Sequence, residues 1–172
     1  METWLDTLCA MQTAPIDSEL PKPALYAALA DQLRALLHGE PDWIANLANT
    51  AALLYDGLPA LNWAGFYLCK DGGLVVGPFQ GKPACVRIAL GKGVCGTAAQ
   101  RRTTLIVPNV HEFDGHIACD SASNSEIVLP LITAQGELLG VLDLDSPRFE
   151  RFDAQDATGL RVLVDILMGQ SG

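Results

Sequence analysis

The stretch whose reading decides the fold is residues 62–80, NWAGFYLCKDGGLVVGPFQ. Two runs rich in aromatic and β-branched residues, NWAGFYLC and GLVVGPFQ, flank the turn formers Asp71-Gly72-Gly73, which is the pattern of an antiparallel hairpin. A third run, CVRIAL (85–90), follows Gly81-Lys82-Pro83. Strands joined by such short links pair antiparallel, because a parallel neighbour needs a crossover of a dozen or more residues.

Outward from this hairpin the same logic sorts the rest of the chain. Upstream, Pro23 to His38 repeats Leu25, Ala28, Leu29, Leu33, Leu36 and Leu37 at helical spacing until Gly39 and Pro41. Asp42 reads as the N-cap of a second helix that ends at Asp56-Gly57. Downstream, GKGVCGTAAQRR (91–102) reads as a glycine turn entering a helix, TLIVPNV (104–110) as a strand and HEFDGHIACDSASNS (111–125) as a long polar loop. Loops of that length in a compact domain tend to carry function. IVLPLIT and ELLGVLDLD then form strands joined by Ala134-Gln135-Gly136, and Asp153 caps a closing helix through Leu167. The expectation is an α+β fold: one domain with a central, mostly antiparallel sheet of about six strands and helices packed on it, divided into an N-terminal helical segment 1–41 and a core 42–168.

At 172 residues the chain suits one domain. A net charge of -9 disfavours nucleic acid and anionic membranes, which both bind through Lys and Arg. Glu2 and Asp6 stand where a signal peptide would be basic, and no apolar run approaches the ~20 residues of a membrane span, so a cytoplasmic protein is expected. Cys9, Cys69, Cys85, Cys95 and Cys119 are an odd set of scattered thiols, which fits a reducing compartment better than a secreted disulfide framework.

Three features carry chemistry. Strand alternation puts Trp63, Gly65, Tyr67 and Cys69 on one face, so Trp63 and Tyr67 either wall a slot for a ligand methyl group or are plain core. In LLGVLDLDSP, Asp143 and Asp145 share a face that looks either at water or into a pocket holding hydrogen-bond donors, and Glu126 adds a third carboxylate at the end of the long loop. Three carboxylates in one cavity would repel, raise at least one pKa and keep a proton available for general acid work. Cys95 sits at a helix start, where the dipole favours thiolate, and Cys119 sits in the loop three residues after His116. Two patterns are decoys. Gly91, Gly93 and Gly96 satisfy G-x-G-x-x-G between hairpins rather than in a βαβ unit. His111, His116 and Cys119, with Asp114 or Asp120, lack zinc-ligand spacing, so no metal is expected.

Taken in order, NWAGFYL, GPFQGKPAC, GKGVCG, HIACDSASNSEIVLPL and GVLDLDS resemble the GAF-domain free methionine-(R)-sulfoxide reductases, over about Asp42 to Leu167. The resemblance implies a GAF fold, a homodimer and the reduction of free L-methionine-(R)-sulfoxide, with redox cysteines at Cys85, Cys95 and Cys119 and substrate-binding residues at Trp63, Tyr67, Glu126, Asp143 and Asp145. It implies no organic cofactor, and thioredoxin as the reductant. Cys119 on its loop is the favoured nucleophile with Cys95 its rival, and Cys85 the favoured resolving thiol. Cys9 and Cys69 have no assigned role. A GAF sensor domain or a thiol redox switch without turnover is the alternative; the chain ends five residues after Leu167, which leaves a sensor's output domain unexpected.

Overall fold

The computed structural model describes residues 16–115 and 121–169, so Cys9, His116, Cys119 and Asp120 lie outside the described residues. Within them the chain runs α1 (Lys22–Leu37), α2 (Trp43–Gly57), β1 (Trp63–Lys70), β2 (Gly73–Gly81), β3 (Arg87–Ala89), α3 (Gly93–Arg101), β4 (Leu105–Val107), a 3-10 turn (Val110–Glu112), β5 (Ser125–Ile132), β6 (Leu138–Ser146) and α4 (Ala154–Met168). The strands form one antiparallel sheet in the order β3-β2-β1-β6-β5-β4. It is the α+β sheet the turn spacing predicts, with β1 and β6 adjacent at its centre. None of the described helices is long and apolar enough to cross a membrane.

Each strand faces two ways, and the two faces build different layers. Ala64, Phe66, Ile127, Leu129, Leu131, Leu142 and Leu144 point to one side and join α1, α2 and α4 in the main core. Trp63, Tyr67, Leu74, Ile88, Val128 and Val141 point to the other and pack with Val94, Cys95, Ala98 and Ala99 of α3 and with Val110. The second layer is thin. A single nine-residue helix and the segments beside it cover that face, which leaves room for a cavity.

The helices end where their caps dictate. The Asp42 carboxylate accepts from the Ala45 amide at 2.8 Å and opens α2. Asp153 and Asp156 form a reciprocal capping box on α4. Asp156 does more than cap: fully buried, it accepts from the Tyr26 hydroxyl at 2.9 Å, from Lys22 Nζ at 2.5 Å and from Arg151 Nη1 at 3.1 Å. A buried carboxylate this well satisfied ties α1 to α4 without a net desolvation penalty. Burial, and then the Asp156 charge, push the Tyr26 hydroxyl well above its ordinary pKa, so it stays a donor.

The same contact explains Gly159. A Cβ at this position would land on the Tyr26 ring, and the ring is held by its hydroxyl. Gly159→Ala is therefore expected to destabilise the fold by about 1–3 kcal/mol, despite alanine's better helix propensity. Urea denaturation monitored by circular dichroism measures this; an unchanged or higher midpoint would show that the ring yields freely.

Candidate active site

The site is assembled by strand register. Across β1, β6 and β5 one row of the sheet reads Trp63, Asp145, Glu126, and the next row on the same face reads Gly65, Asp143, Val128. Three residues separated by up to 82 positions in sequence thus become lateral neighbours, since directly opposed side chains lie about 5 Å apart at Cβ. Tyr67 follows one row further on, opposite Val141. The face that alternation assigned to Asp143 and Asp145 is the pocket face.

Gly65 makes the aromatic wall possible. A Cβ there would lie 2.7 Å from Trp63 Cη2 and would also meet the Phe79 side chain. With hydrogen in its place, the indole lies back over the strand, stacked on Tyr67 at 5.8 Å and on Phe79 at 5.2 Å between ring centroids. The indole Nε1 donates to the Lys82 carbonyl at 3.2 Å. Trp63 and Tyr67 are buried, and both line a cavity with Cys95, Glu126, Asp143 and Asp145. Its volume, about 40 Å³, is far below the ~300 Å³ and more of drug-sized pockets, which suits the polar head of a small molecule. A larger cleft of about 550 Å³ between α1 and α4 contains no thiol.

The electrostatics of the cavity follow from burial. Glu126 and Asp143 are 6 % and 5 % exposed. Burial, and then the Asp143 and Asp145 charges, push Glu126 well above the usual carboxylate range. Burial also raises Asp143, to about 6, held there by hydrogen bonds with Cys95 and Glu126 that favour its ionised form. Asp143 Oδ1 is buried with no hydrogen-bond partner among the described residues. An orphaned acceptor of this kind is costly and calls for a donor brought from outside. Asp145 is only half-buried and sits toward the mouth.

Cys95 occupies the third position of α3, as the glycine turn predicts. It does not gain the reactivity a helix start confers. It is buried, its thiol donates to Glu126 Oε1 at 3.8 Å, and burial followed by the Asp143 and Glu126 charges pushes its pKa well above a free thiol's. A dipole worth up to about 1 kcal/mol at an exposed site is outweighed by two facing carboxylates. Its sulfur and one oxygen each from Glu126 and Asp143 lie within 4.8 Å of one another, spacing that could hold a metal ion and is also that of a proton-sharing set.

The other thiols are dispersed. Cys69 is exposed at the end of β1 and does not line the cavity. Cys85 is half-buried beside the second core layer and disulfide-bonded, while Cys69 and Cys95 are both free. His111 sits on the 3-10 turn with its Nε2 2.9 Å from Asn124 Oδ1, so the histidine nearest the loop has a structural contact. The sequence reading missed Ser123, which is buried, lines the cavity and accepts from Asn62 Nδ2 at 2.9 Å. It also missed Phe79. The stretch Ser123-Asn124-Ser125 is an anchor for Glu126: Asn124 Nδ2 donates to the Pro147 carbonyl at 2.8 Å, and the Ser125 hydroxyl donates to the Arg148 carbonyl at 2.6 Å. The signal was present, since small hydroxyl and amide residues beside a buried strand serve neighbouring backbone.

Known proteins resemble this chain in sequence and in fold. A GAF domain model matches residues 24–170. The chain is 57% identical to the free methionine-R-sulfoxide reductase of Escherichia coli, over 83% of this chain and 86% of that protein. It is 42% identical to the Saccharomyces cerevisiae protein of the same name, over 87% of each. The structure matches the crystal structure of free methionine-R-sulfoxide reductase from Neisseria meningitidis in complex with its substrate with a TM-score of 0.87, at 43% identity, covering 92% of this chain and 95% of that one. With its register-built carboxylate pocket and these relatives, the chain belongs to the GAF-domain family of free methionine-R-sulfoxide reductases.

Proposed function

We propose that this protein reduces free L-methionine-(R)-sulfoxide to methionine through cysteine chemistry at the Glu126/Asp143 cavity. The observation that carries the reading is a buried Glu126, its pKa pushed well up by burial, beside an unsatisfied Asp143 oxygen and an aromatic wall. A sulfoxide oxygen needs a proton donor, an α-ammonium needs carboxylate acceptors, and a methyl group needs an apolar surface. The cavity offers all three. A substrate complex is known for the Neisseria meningitidis relative.

In this reading the thiolate of Cys119 attacks the sulfoxide sulfur while Glu126 delivers its proton to the oxygen, so that methionine leaves and a sulfenic acid remains on Cys119. The sulfoxide sulfur is reduced and the cysteine sulfur oxidised by the same two electrons. Cys85 then displaces water from the sulfenic acid and forms a disulfide. Its disulfide-bonded state here, with Cys69 and Cys95 excluded as partners, supports it as the resolving thiol. A dithiol donor, thioredoxin, reduces the disulfide and closes the cycle. Asp143 and Asp145 hold the ammonium, and a pocket closed around a charged amine rejects methionine sulfoxide within a peptide, whose nitrogen is an amide. Cys95, held as a thiol, takes the place of a hydrogen-bond donor to Glu126 rather than of a nucleophile. The enzyme so proposed works in the reducing cytoplasm, and as a homodimer, as the resemblance implies.

Incubation with racemic free methionine sulfoxide and dithiothreitol should consume only the R epimer by chiral chromatography; absence of methionine would reject the reading. Cys119→Ser should make no methionine, whereas Cys85→Ser should make about one per site in a single turnover and then fail to recycle with thioredoxin. Activity in Cys119→Ser together with a dead Cys95→Ser would transfer the nucleophile to Cys95.

The cavity should also cost stability. Asp143 holds its proton more tightly folded, at about 6, than at its ordinary 3.8, so between those values the folded state binds more protons and stability falls as pH rises. Above the folded value the full cost persists. Glu126→Gln should therefore lower kcat by about 10²-fold or more while raising Tm at pH 7 by a few degrees, and Asp143→Asn should flatten the fall in Tm between pH 4 and 6. Thermal melts across that range decide it: lower Tm in both variants at pH 7 would show the carboxylates to be net stabilising.

A further inference from the structure

The sequence around Cys85 differs from the rest of the chain in charge. From residue 72 to residue 111 the chain contains Lys82, Arg87, Lys92, Arg101 and Arg102 and no Asp or Glu, although the whole protein carries a net charge of -9. Within this basic stretch Val86 is 64% and Leu90 is 41% exposed. They bracket β3, whose central Ile88 faces inward while Arg87 and Ala89 are exposed. β3 is the outermost strand, paired on one side with β2, and among the described residues no strand covers its other edge. Val86 and Leu90 are four residues apart on extended chain, about 13 Å at ~3.3 Å per residue, within the span of one small protein contact.

We infer that the segment Val86–Leu90, with the basic side chains beside it, is the docking surface for the protein dithiol that reduces the Cys85 disulfide. The inference rests on the thiol cycle proposed above. Thiol–disulfide exchange requires the incoming thiolate to reach a disulfide sulfur directly, forming a mixed disulfide before the second donor thiol displaces it as a new disulfide and frees the enzyme's cysteine. A protein carrying that thiolate must rest on whatever surrounds Cys85. What surrounds it is a strand edge that a partner's extended segment can hydrogen-bond, two exposed aliphatic side chains for its apolar collar, and a run of basic residues of which Arg87, 3.5 Å from the exposed Asp71, lies on β3 itself. The partner is therefore a small protein dithiol of the thioredoxin class with an acidic rim. None of Val86, Arg87 and Leu90 lines the substrate cavity.

Turnover driven by thioredoxin, its reductase and NADPH, compared with turnover driven by dithiothreitol, separates docking from chemistry. Val86→Asp with Leu90→Asp should lower kcat/KM for thioredoxin at least tenfold and leave dithiothreitol-driven turnover unchanged. Arg87→Glu should lower it several-fold, and added salt should weaken the thioredoxin reaction in the wild type more than the dithiothreitol reaction, since the small reductant is uncharged. If the double Asp variant is also impaired with dithiothreitol, Val86→Ser and Leu90→Ser singly, which add no charge, take its place. Unchanged thioredoxin kinetics in a variant that keeps its dithiothreitol activity would overturn the docking surface. A wild type inactive with both reductants would instead overturn the thiol cycle.

Discussion

Two carboxylates held side by side out of water are the constraint on which this structure turns. Glu126 and Asp143 belong to adjacent central strands and are almost fully buried. Left alone, that pair would be driven out or neutralised, because burial disfavours each charge. The fold keeps them by letting a proton stay: Glu126 is pushed well up, Asp143 to about 6, and the Cys95 thiol supplies a donor. A carboxyl raised in this way keeps its proton to higher pH than a water-exposed glutamate does.

Rigidity around the pair comes from the layer opposite the cavity. The main core beneath the sheet, with α1, α2 and α4 on it, is built mostly of apolar side chains, with the buried Asp156 held by Tyr26, Lys22 and Arg151. Close packing there fixes the strands, and the strands fix the register. The thin second layer can then give up packing for chemistry. Gly65 leaves space for the Trp63 indole, the indole shields the carboxylates from solvent, and α3 closes the side.

The redox part of the molecule is arranged differently from the acid part. The carboxylates sit on central strands, where pairing on both sides fixes their position. Cys85 lies on the link between β2 and the edge strand β3. The division suits the two tasks, since a proton donor must be preorganised whereas thiols must exchange partners and meet an outside reductant.

Much of this was legible in the chain. Period-2 alternation with Asp-Gly-Gly and Ala-Gln-Gly turns determined the antiparallel sheet, because side-chain parity is a property of the backbone itself. The caps at Asp42 and Asp153 and the shared face of Asp143 and Asp145 are equally local. Whether that face looked at water or into a cavity was undetermined, since the answer depends on which strand lies beside β6 and which helix covers it. Only the register that sets Trp63 and Glu126 on either side of Asp145 decided it. The same holds for Cys95: its place at a helix start favours thiolate, and only the fold's choice to face it with two carboxylates reversed the sign. Phe79 is legible as a strand residue but not as part of the site, since its stacking on Trp63 exists only once β1 and β2 have paired. Local geometry is written in sequence periodicity, whereas charge environment depends on long-range neighbours, so it was the electrostatics of the site that the tertiary structure had to supply.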